Sequence, residues 1–107
     1  MDFKGLADRL GLEKEEFIEL AELFVETGSS DLRQLQSAVE QGDVQEVVKK
    51  SHSIKGASGN LGFTEIFGVA KDVEANARED NLDGAVGAVV VIKEKIDQLA
   101  QAINEKA

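Results

Sequence analysis

From Phe3 to Ile103, apolar residues return every three or four positions, and no proline interrupts the series. That spacing gathers them on one face of successive α-helices and excludes the two-residue alternation of strands. The clearest run is Leu82, Ala85, Val89, Ile92, Ile96, Leu99 and Ile103. Its steps alternate three and four, the 3.5-residue period of helices packed in a bundle. A chain of 107 residues holds one such core and is too short for two, so residues 1–107 are predicted to form a single domain.

Helix punctuation divides the rest. Phe3, Leu6 and Leu10 predict a short opening helix that stops near Gly11. A second helix is predicted from Glu13 to Gly42, with Phe17, Leu20, Ala21, Phe24, Leu32, Leu35 and Val39 at helical steps. Gly28-Ser29-Ser30 interrupts it, but Phe24, Gly28 and Leu32 keep the face in phase, which favours one long helix over two. Asp43 with Glu46 has the spacing of an N-cap, so a third helix starts at Val44 and buries Val44, Val47, Val48, Ile54 and Leu61. Ser51 and Ser58 take inward positions between them. After a turn at Gly62-Phe63-Thr64, a fourth helix carries Ile66, Val69, Ala70, Val73 and Ala77 and frays at Glu79-Asp80-Asn81. Short connections make consecutive helices antiparallel neighbours. The predicted fold is all-α, an up-down-up-down four-helix bundle with a short N-terminal helix.

A bundle implies no function, so charge and chemistry must supply it. The net charge of −9 excludes a nucleic-acid binder, which needs a basic stripe on its surface. There is no cysteine for a disulfide or thiolate site, and no apolar stretch approaches the length of a membrane span. A cytoplasmic, monomeric protein with neither membrane nor nucleic-acid partner is the simplest expectation. Against this acidic background, Val47 to Lys71 holds Lys49, Lys50, Lys55 and Lys71 but only Glu65, a local balance of +3. That stretch is a candidate for handling an anion.

It also contains the one histidine. On a helix, His52, Lys55, Gly56 and Gly59 fall on one stripe turned away from the Val47, Val48 and Ile54 face. A glycine in a helix interior costs about 1 kcal/mol relative to alanine, and two of them stand beside the same imidazole. Either they let another surface approach the ring or they are close-packing points between helices. Lys55, one turn away, can set an ammonium beside an incoming dianion. A single histidine without clustered acids supplies too few ligands for a metal, and no nucleophile-base-acid set is legible, so no metal or cofactor is expected.

The segment Ser51 to Phe63 resembles the histidine-containing phosphotransfer domains of multistep phosphorelays. Their signature, H-x-x-K-G followed by five residues and Gly, is matched by His52, Lys55, Gly56 and Gly62. Ile54 and Ser51 stand where Leu and Ala are commoner, and Val73-Glu74 resembles the apolar-Glu pair of the following helix. The resemblance implies that His52 accepts the phosphoryl group, that Lys55 assists electrostatically, and that Gly56 and Gly59 admit a receiver domain while Gly62 makes the turn. It further implies response-regulator receiver domains and a sensor histidine kinase as partners. The aspartate, the Mg²⁺ and most transition-state stabilisation then come from the partner, so the chain is a carrier rather than an enzyme.

Glu74 can be placed by counting. His52 and Glu74 each lie eleven residues from Phe63, so across an antiparallel hairpin they stand level. A carboxylate there would fix the imidazole tautomer and leave the other nitrogen free to attack. The alternative is a rim glutamate paired with Arg78 at i+4. Two other functions fit the same pattern. One is the phosphoacceptor domain of a chemotaxis-type histidine kinase, against which the initial Met and charged tail favour a free-standing carrier. The other is an adaptor bundle whose histidine has no chemistry.

Overall fold

A computed structural model describes residues 1–106 of the chain. Five helices follow one another: α1 (Phe3–Arg9), α2 (Lys14–Gln41), α3 (Val44–Leu61), α4 (Thr64–Arg78) and α5 (Ala85–Lys106), and no strand occurs among the described residues. Helices α2 to α5 form a closed ring in which each packs on its neighbours in sequence and α5 returns to α2. The short α1 lies against α2. The predicted topology is therefore present.

Local chemistry accounts for the helix ends. Asp43 accepts a hydrogen bond from the Glu46 amide at 3.2 Å, satisfying one orphan donor of α3. At the other end Gly62 takes the left-handed conformation, φ +80°, and its amide donates to the Gly59 carbonyl while that of Phe63 donates to Ser58. This Schellman closure reverses the chain within two residues and sets α3 and α4 side by side. Gly42 closes α2 in the same way.

The 28 residues of α2 run without a break, spanning about 42 Å at the helical rise, and the molecule's long dimension is 41 Å. Gly28 does not interrupt it. A Cβ there would lie 3.4 Å from Phe24 and 3.5 Å from Ile96, so this buried glycine faces α5 at ordinary contact distance. The connection before α5 is longer than predicted. The Asn81 side chain accepts from the Asp83 amide, and Asp80 sits at φ +62°, so the helix begins only at Ala85. Leu82 packs on the core from that loop.

The core is aliphatic along most of its length and aromatic at one end. Phe3, Phe17, Phe24 and Phe63 stack there, with centroids 6.2 Å apart for Phe3–Phe17, 5.9 Å for Phe17–Phe63 and 5.3 Å for Phe24–Phe63. Ser51 and Ser58 are buried as predicted. Each hydroxyl donates to the carbonyl one turn back, Val47 at 2.6 Å and Ile54 at 2.7 Å, so α3 satisfies its own buried polar atoms.

Candidate functional site

The small inward residues of α3 let α4 lie close against it, and that closeness brings Glu74 under His52. His52 projects from the outward face of α3 with its side chain 62% exposed. The Glu74 side chain is only 5% exposed, and its Oε2 lies 3.0 Å from His52 Nδ1. An ionised carboxylate only accepts, so Nδ1 carries the proton and donates, which leaves the lone pair of the neutral ring on Nε2. Nε2 has no hydrogen-bond partner among the described residues.

Two cations share the same carboxylate. Arg78, one turn along α4, donates to Oε2 from Nη2 at 2.6 Å and from Nε at 3.2 Å. Lys55 brings its ammonium to 2.6 Å from Oε1. The two cations therefore hold different oxygens of one carboxylate, Arg78 through two donors and Lys55 through one ammonium. Burial alone would raise the pKa of Glu74, but Lys55, Arg78 and His52 outweigh it and bring it down to about 2. Around one anion the site thus gathers two permanent cations and a histidine, leaving a positive surplus under an exposed ring nitrogen.

Several expectations from the sequence change here. Glu74 was predicted either to meet His52 or to form a rim pair with Arg78; it does both at once and is buried, not at the rim. It is buried because it follows Val73 on the face of α4 that α3 covers. Lys55 was expected to reach toward an incoming group, but its ammonium here rests on Glu74. The two glycines separate. A Cβ on Gly56 would meet nothing within 4 Å, so no contact inside the chain requires glycine there. A Cβ on Gly59 would stand 2.8 Å from Phe67 Cδ1, so its seat is taken by an α4 side chain and Gly59 is a close-packing point. Gly62 makes the turn.

Sequence reasoning gave Arg78 no part in the site, although its i+4 spacing from Glu74 was the available signal. It also missed Ser53, which donates to Asp31 at 2.6 Å and joins α3 to α2 beside the histidine. Asp31 and Ser53 each lie eleven residues from Gly42, so counting from that turn was the available signal.

Comparison with known proteins bears on the family and the fold. The family model described as the Hpt domain matches residues 19–102. The phosphorelay intermediate protein rdeA of Dictyostelium discoideum is 26% identical over 93 residues, 87% of this chain. The chain spans 37% of that relative's length. The crystal structure of histidine-containing phosphotransfer protein B from Pseudomonas aeruginosa PAO1 superposes with a TM-score of 0.83 at 27% identity, covering 94% of this chain and 88% of that one. No helix among the described residues is long and apolar enough to cross a membrane. With the matched family model spanning α2 to α5 and the H-x-x-K-G stripe on an exposed face, the chain belongs to the Hpt domain family.

Proposed function

We propose that the chain carries a phosphoryl group on His52 between the aspartates of response-regulator receiver domains, in a relay fed by a sensor histidine kinase. The observation that carries this reading is the state of the ring. Nδ1–H is engaged by buried Glu74, and Nε2 is left on an exposed side chain next to the open space over Gly56.

In the transfer, the Nε2 lone pair forms a bond to phosphorus as the bond from phosphorus to the aspartyl oxygen breaks, and the aspartate leaves as a carboxylate. The ring has then given a pair of electrons and bears a positive charge shared with Nδ1–H. Glu74 stands 3.0 Å away to balance it, while the surplus cation of the cluster faces the phosphoryl oxygens. The reverse step restores the neutral ring, so the carrier works in both directions. Gly56 removes the side chain that would hold a partner away from the ring. Every other reacting group belongs to the partner.

Incubation with a ³²P-phosphorylated receiver domain tests the reading. The chain should take up label that is acid-labile and alkali-stable, and His52→Gln should abolish uptake with melting unchanged. Label that survives in His52→Gln would assign the chemistry to another residue, and no uptake by the wild type would leave an adaptor bundle.

A further inference from the structure

Glu74 has more partners than the proposed transfer requires. A buried carboxylate must stay paired or take up a proton, and one cation would suffice for that. Two are present, and they are bound differently. Arg78 grips Oε2 through two donors, the same oxygen that accepts from His52 Nδ1. Lys55 touches only Oε1, through one ammonium contact at 2.6 Å. Their stems differ in the same sense. The planar guanidinium is pre-organised for a carboxylate, whereas the ammonium is a point charge on a flexible chain. Lys55 also sits on the helix of the histidine, one turn away, while Arg78 sits beyond Glu74 on α4.

We propose that Arg78 is a positioning residue for the phosphoacceptor: its two hydrogen bonds to Glu74 Oε2 hold that carboxylate ionised and aimed at Nδ1, which keeps the reactive lone pair on Nε2. The inference rests on His52 being the phosphoacceptor. It divides the labour between the cations. When a dianionic phosphoryl group arrives at Nε2, Lys55 leaves Oε1 to meet it, and Arg78 remains so that no buried carboxylate is stranded. Without Arg78, Lys55 would have to choose between the two anions. Without the fork of Arg78, Oε2 would also be free to turn away from the ring, and a carboxylate not held at Nδ1 no longer selects the Nδ1–H tautomer.

The ring tautomer supplies a readout that needs no phosphate. The full chain, labelled with ¹⁵N, has a single imidazole, so long-range ¹⁵N–¹H spectra report the protonation of each ring nitrogen of His52 directly. Rates are measured in parallel with a ³²P-labelled receiver domain. Arg78→Met should fold normally, since the side chain is exposed beyond its headgroup contacts. It should shift the ring toward a mixture of tautomers and slow transfer on the order of tenfold. Arg78→Lys, which restores the charge without the fork, should recover part of both. An unchanged tautomer in Arg78→Met overturns the inference, and slower transfer with that tautomer unchanged assigns Arg78 to the phosphoryl group instead. Failure of the wild type to take up label would overturn the phosphoacceptor reading itself, whatever the tautomer of Arg78→Met.

Discussion

The aromatic end of the bundle and the middle of the α3–α4 hairpin solve opposite problems. At the end, Phe3, Phe17, Phe24 and Phe63 bury large rings against one another. About 16 Å along α3, eleven residues from Phe63, Ser51 takes an inward position, a carboxylate is buried, and the outward face offers a histidine with an open glycine one turn away. The first region holds the helices together by area. The second uses their proximity to hold a charge cluster under a reactive ring. The largest share of buried ring area and the reactive group thus lie apart, and a change among the rings should leave the site's reactivity intact.

The largest test of that separation is Phe17→Ala. Phe17 is fully buried and touches rings on both sides, so truncation should cost about 3–5 kcal/mol and lower the melting temperature markedly. Transfer per folded molecule, measured below the transition, should equal that of the wild type. A proportionate loss of transfer would show that the aromatic end also orients the site.

The second test uses pH. The pKa of Glu74 is brought from 4.5 in the unfolded reference to about 2 in the folded chain, so its contribution is present above pH 4.5 and disappears as pH falls toward 2. The size is on the order of 3 kcal/mol. Denaturant unfolding between pH 5 and 2 should show this loss in the wild type and a shallower dependence in Glu74→Gln. Parallel slopes would mean that Glu74 is not the carboxylate responsible.

The smallest effects divide the two glycines of the site. Gly56→Ala places a methyl in open space, so it should stabilise by about 1 kcal/mol while slowing transfer from a receiver. Gly59→Ala presses on Phe67 at 2.8 Å, so the same gain in helix propensity should be cancelled or reversed. Thermal melts of the two variants compare them directly. Equal stabilisation would mean that Phe67 moves aside freely and that Gly59 is as open as Gly56.

Much of this molecule follows from its sequence alone. The three-and-four spacing of apolar residues, the N-cap at Asp43 and the glycines at 42 and 62 set four of the five helices to within a few residues, because each is a local rule of backbone and side chain. The start of α5 was misplaced, since Leu82 continues the apolar period from outside the helix and periodicity cannot see an Asx turn. Counting from the turn also put Glu74 level with His52. What counting could not supply was depth. Whether Glu74 lies at a rim or beneath the ring depends on how closely two helices approach, which is set by Ser51, Ser58 and Gly59 acting together across the seam. Only the packed structure could therefore place Lys55 on Glu74, join Arg78 to the site and separate Gly56 from Gly59. Periodicity is a property of one helix, whereas the pairing of a buried charge is a property of every surface that surrounds it.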